Sequence, residues 1–417
     1  CPGRWMMTFE PTHAFVWVWL PGELEPVVAG RLDVSGVVVT FTYGRSYLER
    51  RNAISLYEPE LPLRPGPIAP EVGEIAGCIA DAGPGSWGRR VLLNRRAVQR
   101  PDGTSDPSEL SFLLESGSDR IGALDFQSSS ADYAPRSTGQ ATLAELAESA
   151  ARVEQGIPLS PDLDAALLHG SSIGGARPKA LLRDGDRALI AKFSSTTDTQ
   201  PIVKAEFIAM ELARRVGINV AHVELTTALG RDALLIDRFD RPADGSRTAM
   251  VSALTILGQT ENEALYGASY AALADIIRKR FTDPDATLRE LFARNTLNIM
   301  VGNNDDHPRN HAAFWDGNML TLTPAYDVCP QPRSGGETRQ LMAIGADGYR
   351  MSQLIGCVDR SRTYHVEPGE AREIIDHQIH VIRTDWTEVC ELAGLTQVQR
   401  SGYWNRQFLN DYALYDY

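Results

Sequence analysis

Cysteine is scarce in this sequence, and no two cysteines lie close together. Its 417 residues include five, Cys1, Cys78, Cys329, Cys357 and Cys390, with no C-x-x-C pair. That pattern excludes a disulfide framework and a zinc knuckle and fits a reducing cytoplasm. No stretch approaches the roughly 18 uninterrupted apolar residues of a membrane span, so no membrane partner is expected. Cys1 to Met7 lack the basic region and apolar core of a secretion signal. Basic charge is in deficit as well: 41 Lys and Arg stand against 54 Asp and Glu, a net charge of −13. A bare nucleic-acid surface needs the opposite sign, because phosphates are bound by Lys and Arg. Any contact with DNA is therefore expected to be indirect, through a basic partner. The glycine-containing loop Ser172 to Lys179 is neither G-x-G-x-x-G nor a Walker loop, and there is no internal repeat.

What remains is an ordinary globular balance, 43% hydrophobic and 23% charged, long enough for two or three domains. Phe15 to Leu20 and Gly36 to Tyr43 read as strands, and proline-rich Pro59 to Pro70 as an extended surface segment. Trp87 to Arg100 has the composition of a helix, and polar Ser128 to Gly139 that of a linker. Thr142 to Gln155 is again helical. Two strands follow, Ala180 to Arg183 and Ala188 to Phe193, joined by the turn Asp184-Gly185-Asp186. Ile202 to Val216 places Ala205, Ile208, Leu212 and Val216 on one helical stripe. Ala233 to Phe239 is a buried strand, and a long helix carrying Leu288, Phe292, Asn295 and Ile299 stops at Gly302. A β-rich part followed by a helical part predicts two lobes.

The densest chemistry lies in Asn303 to Phe314, "NNDDHPRNHAAF". Asp305 and Asn310 have the D-x-x-x-x-N spacing of protein-kinase catalytic loops, where the Asp takes the proton of an attacking hydroxyl and the Asn holds magnesium. Asp327, just past an apolar strand, is placed to bridge the metal to phosphates. Alone, such a spacing is more often a solvated turn. Its weight comes from order along the chain. Lys192 lies inside an apolar strand, where a charge needs a partner, and Glu206 on the following helix could supply one. Gly174 and Gly175, in the loop Ser172 to Lys179, permit close backbone approach to phosphate oxygens, although on this loop alone a plain turn is the better reading. His307 and His311 are spaced for chelation on a helix, but Pro308 opposes a helix there. His307 is read instead as orienting the catalytic loop. Asp305 and Asp306, adjacent on an extended loop, should point apart, which disfavours a carboxylate dyad.

Together these segments resemble the HipA family of bacterial Ser/Thr kinases, toxins of toxin–antitoxin pairs. "GSWGRR" (Gly85 to Arg90) and "DRIGAL" (Asp119 to Leu124) are similar to the family's N-terminal subdomain. "SSIGGARPKA", "AKF", "DRFDR", "NNDDHPRN" and "LTPAYD" follow in the order of its kinase core. The resemblance implies an α+β, kinase-like two-lobe fold: an N-terminal α/β subdomain (1–135), an ATP-binding lobe (136–241) and an all-helical C-terminal lobe (242–417). It implies Asp305 as base, Asn310 and Asp327 as Mg2+ ligands, Lys192 on the ATP phosphates and Asp237 and Phe239 near the adenine. Ser172 matches the loop serine that members autophosphorylate. The implied partners are a helix-turn-helix antitoxin (HipB-like) and a translation protein as substrate, an aminoacyl-tRNA synthetase being the known class. There is no H-R-D, and Tyr326-Asp327-Val328 stands where D-F-G would be; both are similar to the family. Two other readings compete: a small-molecule kinase on a related scaffold, and a non-catalytic co-repressor.

Overall fold

The computed structural model describes residues 10–99, 107–136, 141–160, 163, 167, 171–195, 197–333 and 336–417. Residue 100 of the expected first helix and 137–139 of the expected linker lie outside them. The chain forms two compact units, Cys1–Ala180 with Asp244–Arg247, and Leu181–Ala243 with Thr248–Tyr417.

The first unit is built on a five-stranded sheet in the order β4-β3-β2-β1-β5. Its strands are β1 (His13–Val18), β2 (Val27–Ser35), β3 (Val38–Tyr43), β4 (Pro67–Ile68) and β5 (Leu124–Gln127). Every pairing is antiparallel. Ala14, Val16, Leu32 and Phe41 are buried on it. The second strand loses its alternation at Ala29, where the pairing with β1 shifts register between Gly30 and Val28; beyond it Arg31 and Asp33 pair on the solvent side and Leu32 is buried. Helix Ser86–Gln99 starts within the GSWGRR segment. There the Trp87 amide donates to the Gly175 carbonyl (3.0 Å) and the Trp87 indole to the Lys179 carbonyl (2.9 Å). A side chain on Gly88 would collide with the Ser171 carbonyl. Two segments far apart in sequence thus fold as one surface. The DRIGAL segment supplies a wholly buried Arg120, paired with buried Asp125 at 2.8 Å. Thr142 closes a capping box with Glu145 and starts helix Leu143–Glu154.

The sheet of the second unit runs β6-β7-β9-β8, with β6 (Lys179–Asp184), β7 (Arg187–Phe193), β8 (Val223–Ala228) and β9 (Arg231–Asp237). Helix Ile202–Arg215 packs on β8 and β9; Ala205, Ile208 and Leu212 of its predicted stripe are buried. The remainder is mostly helical, led by Tyr270–Arg280, Pro284–Met300 and Pro368–Leu392. It is not all helical as expected. A three-stranded antiparallel sheet, β10 (Met250–Ser252), β11 (Ala312–Trp315) and β12 (Leu320–Leu322), lies within it. Strands of three or four residues are too short to show a period of two in sequence. Among the described residues no helix is long and apolar enough to cross a membrane.

Candidate active site

Lys192 is on β7, paired with Leu234 of β9, and its side chain is 8% exposed. A buried ammonium must be compensated, and it is: Nζ lies 2.5 Å from Glu206 Oε1 and 2.5 Å from Asp327 Oδ1. Burial acts to lower its pKa, but the Asp327 and Glu206 carboxylates more than offset this, so Lys192 is held charged. Glu206 is itself buried, one turn into its helix.

Asp327 follows β12 through Thr323-Pro324-Ala325. The Ala325 amide donates to the Asn219 carbonyl (2.8 Å), and its carbonyl accepts from the Ala221 amide (2.9 Å). Pinned this way, Asp327 adopts a left-handed backbone, φ +58°, which costs a non-glycine residue roughly 1–3 kcal/mol and persists only where surroundings impose it.

Asp305 comes from the other direction. Helix Pro284–Met300 is stopped at Gly302, whose φ is +72°. A Cβ there would lie 2.6 Å from the Gln407 carbonyl oxygen. The loop then turns on two bonds, the His307 amide to the Asp305 carbonyl (2.9 Å) and the Asn310 amide to the His307 carbonyl (2.8 Å). Pro308–Asn310 form a 3-10 turn, not the helix that chelation by His307 and His311 would need. The Asp305 carboxylate reaches solvent on one side. Partial burial pushes its pKa up, His307 opposes this, and the Asp327 carboxylate adds to it. The two acids therefore feel one another.

The adjacent acid behaves differently. Asp306 is 2% exposed, and its Oδ2 accepts from Asn298 Nδ2 (2.8 Å), His311 Nε2 (3.0 Å) and the Tyr270 hydroxyl. The two neighbours point apart. His307 orders the loop through its main-chain amide; its ring Nδ1 is buried and has no hydrogen-bond partner among the described residues. Asn310 is buried, with Nδ2 3.5 Å from the Asp305 carbonyl.

The structure thus brings Lys192, Glu206, Asp305 and Asp327 together, with Asn310 at the end of the Asp305 loop. Asp237, at the end of β9, is engaged by Arg187 at 2.7 Å. Phe239 rests against Phe314 and Tyr326. Gly174, Gly175 and Ser172 belong to the first unit. The Gly174 carbonyl accepts from Lys179 Nζ (2.6 Å), and Gly175 has φ +97°. The Ser171–Lys179 loop is not the open turn its composition suggests. Ser171 and Ser172 are fully buried; Ser172 donates to the Asp119 carbonyl (2.9 Å), and Ser171 accepts from the Gly117 amide (3.3 Å).

The profile of the HipA-like C-terminal domain matches residues 171–386, just over half of the chain. The chain belongs to the HipA family. The HipA N-terminal domain profile matches residues 18–127. Among HipA-family relatives, the chain is 27% identical over 186 residues to the serine/threonine-protein kinase toxin HipA of Shewanella oneidensis, covering 38% of this chain and 42% of that one. It is 26% identical over 320 residues to Y4mE of Sinorhizobium fredii, which carries a provisional name as a kinase; that match covers 70% and 71% of the two chains. HipA in the Shewanella oneidensis complex of HipA, HipB and operator DNA shares its fold, with a TM-score of 0.66 at 18% identity over 93% of this chain and 94% of the other. The fold is accordingly the kinase-like, two-lobe α+β arrangement.

Sequence reasoning missed Tyr270, Asn298 and His311 as partners of Asp306. One signal was available: Asn295, Thr296 and Asn298 interrupt the apolar pattern of a helix that the structure buries.

Proposed function

We propose that this HipA-family chain is an ATP-dependent serine/threonine protein kinase and the toxin of a toxin–antitoxin pair. The observation that carries the reading is the Lys192 ammonium bridging Glu206 and Asp327; the Asp327 carboxylate also helps to raise the pKa of Asp305. Such a set orients a triphosphate and a hydroxyl toward each other. In this reading Asp305 Oδ accepts the hydroxyl proton. The new O–P bond forms at the γ-phosphorus as the bond to the bridging β–γ oxygen breaks, and ADP leaves. Lys192, held extended by Glu206, contacts the phosphates.

The donor set fits magnesium: the Asn310 amide oxygen and the Asp327 carboxylate are hard oxygen ligands, too few for an all-protein cage and suited to an ion that keeps waters and phosphate oxygens. When bound, Mg2+ would supply charge neutralisation at the phosphates. The unusual backbone of Asp327 then has a use, since it aims a carboxylate that also reaches Lys192.

Residues 1–135 would be the family's N-terminal subdomain, 136–241 the nucleotide-binding lobe and 242–417 the catalytic lobe, with Asp237 and Phe239 near the adenine. A helix-turn-helix antitoxin would be the partner through which DNA is reached, and a translation protein such as an aminoacyl-tRNA synthetase the target, in the cytoplasm. Ser172 would be the autophosphorylation site. Its buried hydroxyl requires the loop to leave its present position first, so modification should be slow.

Incubating the purified protein with γ-labelled ATP, magnesium and bacterial lysate tests this reading. Label on a protein, and on Ser172 by peptide mapping, is expected. Label confined to small molecules would move the reading to a small-molecule kinase, and none at all to a non-catalytic co-repressor.

A further inference from the structure

We infer that Asp306 and His311 form a clamp that closes the catalytic loop, making both of them positioning residues for the reaction. The inference rests on the kinase reading for what is positioned, and on geometry alone for the clamp. Asp305, the proposed base, immediately precedes Asp306, and Asn310, the proposed metal ligand, immediately precedes His311. The 3.0 Å bond from His311 Nε2 to Asp306 Oδ2 therefore ties the two functional positions together at their roots. Between them the chain makes only one 3-10 turn with a proline at its start, so the closed loop has little freedom to change shape.

The clamp is anchored on both sides. Asp306 Oδ2 also accepts from Asn298 Nδ2 at 2.8 Å, on the helix that delivers the loop, and from the Tyr270 hydroxyl on a second helix. Asn298 Oδ1 in turn accepts from Asn303 Nδ2 (3.0 Å), the Asn303 carbonyl from Gln340 Nε2 (3.0 Å), and Gln340 Oε1 from the Ser352 hydroxyl (2.7 Å). Asp306, His311, Asn298, Tyr270, Asn303, Gln340 and Ser352 are each no more than 3% exposed. On the far side, the His311 carbonyl accepts from the Ala253 amide (2.7 Å) and the chain enters β11. Every member is bonded to at least one other, and among the described residues only His311 Nδ1 of this network is buried without a partner; a buried polar network of this kind favours one arrangement, because breaking it leaves further polar groups unpaired. The acid that lacks access to solvent thus holds in place the one that has it.

The test compares wild type with His311→Ala, His311→Gln and Tyr270→Phe. Glutamine can present an N–H to Asp306; alanine cannot. His311→Ala is expected to lower kcat by about 10²-fold, the scale of a 1 Å misplacement of reacting groups, and to raise the magnesium concentration needed for half-maximal rate. KM for ATP should change little. His311→Gln should recover most of the loss, and Tyr270→Phe should show a smaller defect of the same kind. Amide hydrogen exchange of residues 303–311, in nucleotide-free protein, should accelerate in His311→Ala and return toward wild type in His311→Gln. A folded His311→Ala protein with wild-type kcat, magnesium response and loop exchange would overturn the clamp. If wild type transfers no phosphate, the kinase reading fails separately, and loop exchange still decides the clamp: acceleration supports it, and no change refutes it.

Discussion

At the scale of single residues, the proposed base stands in an unfavourable electrostatic position. Burial and the Asp327 carboxylate both raise the Asp305 pKa, with His307 only partly opposing them. An acid whose pKa is higher folded than unfolded costs stability above the folded value, and that cost disappears as pH falls below the ordinary carboxylate range. Asp305→Asn should therefore melt at a higher temperature than wild type at neutral pH without nucleotide, and the difference should shrink on acidification. Melting curves across pH check this; a neutral-pH decrease would contradict it. Lys192 is the reverse case. Its removal leaves Glu206 charged and buried, so Lys192→Ala should lose about 3–5 kcal/mol of folding free energy. The double variant with Glu206→Gln should lose less than the two single losses added together. Denaturant titrations of all four proteins measure it. The Lys192–Glu206 pair was legible in sequence because a lysine within "ALIAKF" demands a partner and the next helix offers one. Asp306 was not legible as a buried acid: in "NNDDHPRN" a sunken aspartate and an exposed one have the same letter, and only the fold around Tyr270 and Asn298 separates them.

At the scale of elements, long periodic segments were readable and short ones were not. The helices beginning at Ser86, Leu143 and Ile202 agree with their predicted spans to within a few residues at each end, and the helix Pro284–Met300 contains the four marked residues and stops just before Gly302, since a stripe of apolar positions over several turns is a strong signal. The β10–β12 sheet was invisible, although it matters to the site: β11 starts two residues after Asn310, and β12 ends five before Asp327. Gly302 sits where the delivering helix must stop. With φ +72° and the Gln407 backbone in the path of any Cβ, Gly302→Ala should cost roughly 1–3 kcal/mol or more and disturb the loop that follows. Urea denaturation, with ATP turnover measured well below the melting transition, tests both effects. An alanine variant of unchanged stability would mean that the C-terminal segment around Gln407 yields easily.

For the whole molecule, charge constrains the partners. A net charge of −13 should keep the isolated protein from binding duplex DNA tightly at physiological salt. A mobility-shift titration should show binding only once a basic DNA-binding partner is added; tight, salt-sensitive binding by the chain alone would refute this. The order of motifs along the sequence indicated the family because each motif does a distinct job in one site. It could not indicate that GSWGRR folds against SSIGGARPK, or that Ser171 and Ser172 are buried there with hydrogen bonds to Gly117 and Asp119. The central claim is that the site around Lys192 and Asp327 transfers phosphate with Asp305 as base. The most direct measurement is label transfer from γ-labelled Mg-ATP to protein by wild type and Asp305→Asn, alongside the Mg-ATP-induced rise in melting temperature of each. The account predicts transfer by wild type, a loss of about 10²- to 10⁴-fold in Asp305→Asn, and a thermal shift in both. Undiminished transfer by Asp305→Asn, or a wild-type protein that Mg-ATP does not stabilise, would contradict it.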